Sequence, residues 1–309
     1  MTAGYTAVRD GGAGLIELSE RGRIRVSGSE ATMFLNGLVT NDVKSLAEYR
    51  WMPAVFPTVQ GRLIGAVRIA RLQDGFLIDT ERASHDAVLK TISRFTMAGD
   101  FRVADLTDES VMLSVQGARA GEVVGKVVKG IGADLKRDEV SGVEGVTVMR
   151  ATHTAEDGFD LVVDLERATE FREKLVDAGA TMVDEGTFEV LRIEAGIARF
   201  GRDMDETNVV PETNLDDAVS FTKGCYVGQE IIVRIKHRGH PAKKLVGLKT
   251  DRPLAPGSIV TSATVSPKVG NIGLGYVRYE SIEPGTKVDI DGISATVTEL
   301  PFIRGSWYA

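Results

Sequence analysis

Residues 188–196, FEVLRIEAG, set the local pattern from which the fold can be worked out. Phe188, Leu191 and Ala195 recur there at helical spacing. Apolar residues at this spacing form one face of an amphipathic helix, and that face packs on a core. Gly196 predicts the end of the helix, because glycine readily adopts the left-handed conformation that closes many helix C-termini.

Similar patterns on either side of this stretch predict two more helices and a strand. Ile24 and Val26 alternate with polar residues, which is the period of a half-buried strand. Each further helix has three apolar residues on one face: Val88, Ile92 and Phe95 after a predicted N-cap at Ser84, and Ala168, Phe171 and Leu175 before a predicted C-cap at Gly179. Helices and strands mix without regular alternation, so the sequence predicts the α+β class.

The character of the chain changes after Leu248. Residues 252–257, RPLAPG, are typical of a linker or turn, and no convincing helical stripe follows. The pair Asp291-Gly292 lies between two alternating runs and predicts a hairpin, because it suits the positive φ angles of a type I′ turn. We therefore expect a body over residues 1–245, made of two subdomains, and a small β-barrel over residues 246–309.

Composition excludes several classes of protein. The net charge of −7 argues against a broad nucleic-acid-binding face, although residues 236–244 form a local basic cluster. The single cysteine, Cys225, excludes an intramolecular disulfide and a multi-cysteine metal site. No apolar run approaches the ~18 residues that span a bilayer. The first twenty residues carry four charges and no signal-like apolar stretch, so we expect a cytoplasmic protein, and we expect it to be a monomer.

Cys225 lies in residues 223–230, KGCYVGQE, just before an apolar run that begins at Ile231. A thiol near a helix N-terminus and an ammonium such as Lys223 loses its proton more readily, because both favour the thiolate. Free cysteines are nevertheless among the most buried residues. The residues alone therefore leave open both a reactive thiol and a structural cysteine beside a tight turn.

These stretches resemble known proteins. Residues 223–230 resemble the K-G-C-Y-x-G-Q-E signature of YgfZ-type folate-binding proteins at all seven specified positions. Residues 191–196 and 201–206, LRIEAG and GRDMDE, resemble a stretch that this family shares with glycine-cleavage T-proteins. The resemblance extends to FLNG at 34–37, EDGF at 156–159 and GYVR at 275–278. It implies a T-protein-like folate-binding body followed by a C-terminal β-barrel.

The resemblance also implies site residues, with tetrahydrofolate or a one-carbon derivative as the ligand. Glu194 falls on the T-protein glutamate that binds the pterin, and a carboxylate can accept two parallel N–H bonds from the pterin edge. Without the resemblance, it would be interpreted as a surface glutamate. Lys223 is expected in the pocket or beside the thiol. Arg192 is expected to stabilise the pocket or to pair with Glu189. Cys225 falls on the family's essential cysteine.

One departure from T-proteins bears on catalysis. T-proteins carry a glycine pair followed two residues later by an acidic pair that includes their catalytic aspartate, and Gly65 and Ala66 stand at those positions here. Neither residue can relay a proton, so aminomethyl transfer is not expected. The YgfZ resemblance instead implies support of iron–sulfur cluster assembly or repair, and through it of enzymes such as those that thiolate tRNA. The expected protein partners are iron–sulfur assembly proteins or client enzymes.

Three other hypotheses remain: a folate-dependent methyl- or aminomethyltransferase with a different acid, a non-catalytic tRNA-binding protein that uses residues 236–244, and a T-protein relic that binds folate weakly. The histidines favour none of them. His85 and His153 are isolated and are expected to be structural or at the surface. His237 and His240 lack the further ligands that zinc needs. A Cys225–His237 pair would be separated by roughly 15 Å of helix.

Overall fold

A computed structural model of the 309-residue chain describes residues 1–97, 99–131, 134–143 and 145–309. This part of the chain contains seven α-helices and sixteen β-strands. The helices are α1 (Ala3–Arg9), α2 (Ala31–Leu38), α3 (Arg82–Ser93), α4 (Ala120–Val127), α5 (Ala168–Asp177), α6 (Glu185–Glu194) and α7 (Gln229–Arg238). The strands are β1 (Gly14–Glu17), β2 (Gly22–Ser27), β3 (Arg50–Pro57), β4 (Leu63–Leu72), β5 (Gly75–Thr80), β6 (Arg102–Asp105), β7 (Ser110–Gln116), β8 (Val140–Val143), β9 (Val146–Arg150), β10 (Gly158–Asp164), β11 (Thr181–Val183), β12 (Lys243–Thr250), β13 (Val260–Ser266), β14 (Gly270–Arg278), β15 (Lys287–Ile290) and β16 (Ile293–Thr298).

The strands form three sheets. A six-stranded sheet has the order β11-β1-β7-β10-β9-β8, in which β1 and β11 are parallel and the other neighbours are antiparallel. Two antiparallel five-stranded sheets have the orders β3-β4-β5-β2-β6 and β13-β14-β12-β16-β15. The last sheet makes the C-terminal region β-rich, as expected, and the predicted boundary at residue 246 falls inside its first strand.

Apolar packing joins the first two sheets into one body. Helices α4 and α5 cover one face of the six-stranded sheet, and α2 and α3 cover one face of the β3–β6 sheet. The opposite faces pack together, with Ile16 and Met112 on one side and Ala70 and Leu77 on the other. Phe188 of α6 joins this cluster. Burial of apolar surface is the main stabilising term in folding, so this cluster anchors one face of α6, while Ile193 of the same helix packs on the C-terminal sheet.

The structure confirms the helix predicted around residues 188–195. It begins after Asp184, whose carboxylate accepts the backbone N–H of Thr187 at 2.9 Å as an N-cap. It ends at Glu194, and Gly196 is left-handed with φ +68°. The predicted hairpin is also confirmed, because Asp291 and Gly292 join β15 to β16 with positive φ angles of 51° and 82°.

Two local expectations were wrong. Helix α3 begins at Arg82, so Ser84 lies inside the first turn, where its buried hydroxyl contacts Thr80 and the Glu81 carbonyl. Arg23 is one of the polar residues that alternate with Ile24 and Val26, a pattern that predicts the solvent side of β2, but it is fully buried. Its guanidinium donates to the Ser110 hydroxyl and carbonyl, because the chain between β6 and β7 covers that side of the strand.

Across the described residues, no helix combines the length and apolar character needed to cross a membrane.

Candidate functional site

A cavity of about 770 Å³ lies where the three sheets meet. The end of α6 and the loop after it form one wall, β3 and β4 form a second, and β12 with residues 213–217 forms a third. Leu300, Pro301, Trp307 and Tyr308 of the C-terminal segment also line it. Cavities of this volume hold small ligands and cofactors, so this is the main candidate for a binding site.

The cavity wall at the end of α6 depends on Gly196. Its left-handed backbone is strained for residues with a side chain, and a Cβ at this position would lie 2.8 Å from the Cβ of Leu300. A larger residue would therefore displace either the loop or the C-terminal segment that closes the cavity.

The alternation of β4 separates the two positions that correspond to the T-protein acidic pair. A Cβ on Gly65 would lie 2.6 Å from a methyl group of Val88, so this position faces α3. Successive side chains of a strand point to opposite faces. Ala66 accordingly lies on the cavity wall. A side chain at residue 66 reaches the cavity, whereas one at residue 65 meets the core.

A buried ionic network underlies the same wall. Arg68 also lines the cavity, and it donates to Asp79 and to Asp160, at 2.6 Å in each case. Arg21 donates to Asp79 at 2.7 Å. Burial alone would raise the pKa of Asp79, but Arg21 and Arg68 lower that pKa to about 2. Both carboxylates therefore stay charged at neutral pH and hold Arg68 in place.

His153, which the sequence predicted to be structural or at the surface, is buried and lines the same cavity. Its Nε2 lies 2.9 Å from Oδ2 of Asp160, and its ring meets Phe188 edge-on at a centroid distance of 6.3 Å. Burial alone would raise the pKa of Asp160, but His153 and Arg68 hold that pKa well below its ordinary range. The cavity thus contains a histidine oriented by a buried carboxylate.

Arg192 combines both roles that the sequence allowed. It lines the cavity and is buried, and it donates to Glu189 at 2.8 Å and to Asp203 at 2.7 Å. Its guanidinium also donates to Ser262 of β13 at 2.8 Å. The bonds to Asp203 and Ser262 are charge-assisted and buried, so Arg192 fixes the loop after α6 against the C-terminal sheet.

Glu194 is not among the residues that line the cavity. Its side chain is fully buried, where Oε2 accepts from Arg9 at 2.8 Å, while Oε1 accepts from Tyr5 at 2.7 Å and from Ser266 at 2.5 Å. It is therefore not the surface glutamate of the alternative interpretation. Contact with a pterin, which stays a prediction, would require these bonds to open.

Lys223 also lies away from the cavity lining. Its buried ammonium donates to the carbonyl oxygens of Asn36, Val39 and Asn41 at 2.6, 2.9 and 2.7 Å. Burial lowers the pKa of this amine to about 8. With its three donors occupied, the ammonium holds the loop after α2 against the segment that carries Cys225.

Cys225 is exposed, so it is not the buried structural cysteine of the alternative interpretation. It lies three residues before Gly228, the left-handed residue at which α7 begins. Cys225 does not line the cavity. The structure thus keeps apart the cavity and the thiol that the sequence analysis grouped in one site.

The basic cluster of residues 236–244 is largely exposed, and some of its side chains contact aromatic rings. His240 stacks on Tyr279 at 4.0 Å, and the ammonium of Lys243 lies 4.6 Å from the ring centroid of Tyr276. Lys244 approaches Asp216 at 3.6 Å. Binding of tRNA by this stretch stays a prediction. Within the described ranges, no group of three or more His, Cys, Asp or Glu side chains is arranged to hold a metal ion.

Sequence reasoning missed several cavity residues, namely Trp51, Arg68, His153 and Asp217. Distant strands bring these side chains together, so their spacing in the sequence carries no signal. One available signal was Asp160, an acid inside the apolar run of β10, GFDLVVD. A charged residue buried in a strand requires a partner, and its partners here are two cavity residues.

Comparison with known proteins defines the class. Residues 1–223 match the family described as GCVT N-terminal domain, and the chain belongs to that family. An aminomethyltransferase of Rubrobacter xylanophilus is 33% identical over 313 residues, which cover 94% of this chain and 83% of that protein. A chloroplastic protein of Arabidopsis thaliana that is named as a transferase is 26% identical, with 95% of this chain and 72% of that protein covered.

A solved structure supports the fold assignment. The crystal structure of the glycine cleavage system aminomethyltransferase T from Bartonella henselae superposes with a TM-score of 0.88. The superposition covers 97% of this chain and 88% of that chain, at 24% sequence identity. The predicted T-protein-like α+β fold is therefore confirmed.

Proposed function

We propose that this protein binds tetrahydrofolate in the central cavity without transferring an aminomethyl group, and that it supports iron–sulfur enzymes as YgfZ-type proteins do. The observation that carries the proposal is Ala66, which lies on the cavity wall where the resemblance to T-proteins calls for an acid. A methyl group exchanges no proton, so the acid–base step of aminomethyl transfer has no group at this position.

The lining of the cavity suits a folate. A folate combines a flat pteridine that bears N–H donors with an anionic glutamate tail. Trp51 supplies an aromatic surface for the ring. Asp217 lines the cavity and makes no ion pair with the described residues, so its carboxylate is available to a ligand. An N–H donor of the ligand would stabilise this carboxylate. Lys244 offers a cation for the tail.

Cys225 is the group through which we propose that the protein acts on its clients. The thiol is exposed, so another protein can reach it, and the KGCYVGQE stretch around it resembles the YgfZ signature. A thiol that exchanges iron or sulfur with a partner must be accessible in this way, whereas a structural cysteine need not be. Because Cys225 does not line the cavity, folate binding and thiol chemistry are separable by mutation.

Two measurements test the proposal. Calorimetry should detect tetrahydrofolate binding to the purified protein, and an assay with the aminomethyl donor of the glycine cleavage system should detect no turnover. In a YgfZ-deficient strain, wild type should restore iron–sulfur enzyme activity and Cys225→Ser should not, although Cys225→Ser should bind tetrahydrofolate normally. Full rescue by Cys225→Ser, or absence of folate binding by wild type, would contradict the proposal.

A folate-dependent aminomethyltransferase is the second candidate. It is favoured by the 33% identity to the Rubrobacter xylanophilus aminomethyltransferase across 94% of this chain. Turnover by wild type that does not need Cys225 would establish it. Ala66→Asp is the informative variant, because it returns a carboxylate to the cavity wall. Activity that appears only in this variant would indicate that residue 66 is what separates this protein from the enzymes.

A further inference from the structure

The His153–Asp160 pair places a histidine, oriented by a buried carboxylate, in the cavity lining. Asp160 is fully buried on β10, and its Oδ2 accepts from Arg68 at 2.6 Å as well as contacting Nε2 of His153 at 2.9 Å. An uncharged imidazole in this position holds its proton on Nε2, because a lone pair there would face an anion. This arrangement leaves Nδ1 as an acceptor.

The loop that carries His153 is fixed before any ligand binds. The side chain of Gln116 is fully buried, and its Oε1 accepts the backbone N–H of His153 at 2.9 Å and the hydroxyl of Thr154 at 3.2 Å. Its Nε2 donates to the carbonyl of Ala151 at 3.1 Å. The edge-on contact with Phe188 restrains the ring itself. Such support holds an acceptor in one orientation, as selective recognition requires.

The pair also lies close to the cavity position that lost its acid. Arg68, which bonds Asp160, is two residues beyond Ala66 on β4, and both line the cavity. Residues two apart on one face of a strand lie roughly 6.5–7 Å apart. Ala66, Arg68 and His153 thus line the same cavity. None of the described residues donates a hydrogen bond to Nδ1 of His153. This nitrogen is also not one of the fully buried polar atoms that lack a hydrogen-bond partner.

We propose that Nδ1 of His153 accepts an N–H of the pteridine ring and so selects reduced over oxidised folate. This inference rests on the proposed folate binding and specifies how the cavity recognises its ligand. Tetrahydrofolate carries hydrogens on the ring nitrogens N5 and N8, whereas folic acid carries lone pairs there. An acceptor-only imidazole opposite either nitrogen pairs with the reduced ring and repels the oxidised one. Selectivity of this kind is large when a buried polar group would otherwise be left unpaired.

The test compares calorimetric Kd values for tetrahydrofolate, under anaerobic conditions, with those for folic acid. His153→Phe keeps an aromatic ring but removes the acceptor at Nδ1, and Arg68 still pairs with Asp160 in this variant. We expect it to lower the preference for tetrahydrofolate at least tenfold. His85→Phe is the matched control, because His85 is also buried and pairs with Asp105 at 2.8 Å, yet does not line the cavity. It should leave the preference unchanged.

A second measurement examines the pair without a ligand. Nitrogen-15 NMR of the wild-type imidazoles should show that the free protein has the His153 proton on Nε2, and tetrahydrofolate should shift the Nδ1 resonance. A proton on Nδ1, or an unchanged preference in folded His153→Phe, would overturn this inference while folate binding stands. If wild type binds neither folate, both the inference and the proposed function fail.

Discussion

Replacing Glu194 by glutamine separates a structural role from a ligand-binding role. Glu194 accepts three buried hydrogen bonds, from Arg9, Tyr5 and Ser266. Glutamine keeps the volume and one acceptor, but it turns an amide N–H₂ towards the Arg9 guanidinium or withdraws the acceptor from Tyr5 and Ser266. The change therefore removes the negative charge that faces Arg9 without opening a cavity.

The expected cost follows from the burial of the pair. Removing one partner of a buried ion pair costs about 3–5 kcal/mol. Arg9 keeps its second carboxylate, Glu156 at 2.9 Å, so we expect the lower limit, about 3 kcal/mol. At an m-value of about 3 kcal/mol per molar urea, the unfolding midpoint of the free protein should fall by about 1 M.

Glu156→Gln is the matched control. Glu156 is also buried against Arg9, and it is likewise absent from the cavity lining. Both variants should lower the urea midpoint similarly, and both should bind tetrahydrofolate within about threefold of wild type once folded. An unchanged midpoint in Glu194→Gln, combined with tetrahydrofolate binding more than tenfold weaker, would refute this reasoning and return Glu194 to the ligand.

Three further predictions concern the thiol segment and the ionic network. Lys223→Met should leave three carbonyl oxygens without their donor, and it should lower the free energy of unfolding in urea by about 2–4 kcal/mol. A loss below about 0.5 kcal/mol would show that these three hydrogen bonds contribute little. Cys225 should react with Ellman's reagent in the native protein within about tenfold of its rate in urea, because it is exposed, and strong native protection would contradict this. Because the pKa of Asp79 is about 2 when folded, below its unfolded value of about 4, its stabilisation should be complete above pH 4 and lost as the pH falls towards 2. A urea midpoint that does not decrease over this interval would argue against the pairing with Arg21 and Arg68.

The sequence predicted the elements whose signals are local. The stripe of Phe188 and Leu191 identified α6, and Asp291-Gly292 identified the last hairpin, because periodicity and turn chemistry act over a few residues. Ser84 was misassigned for the same reason. A serine before an apolar stripe is typical of an N-cap, but packing against β4 extended α3 by two residues beyond it.

The site was predicted less well, because it depends on contacts between distant strands. Ala66 could be identified by resemblance, but only the strand register reveals that residue 66 faces the cavity and residue 65 faces α3. The partners of Glu194 lie 72 to 189 residues away, so no local pattern could indicate that its carboxylate is occupied. The same separation conceals the link between His153 and Arg68 through Asp160.

The position of the cavity's final wall affects how the protein comes to hold a ligand. Leu300, Pro301, Trp307 and Tyr308 belong to that wall, and the backbone N–H of Trp307 donates to the Ala155 carbonyl at 3.2 Å. A chain still being translated has the helices and strands of the body long before it has these residues. The binding chamber therefore has its complete lining only after residues 300–308 have been synthesised and have folded back onto the body.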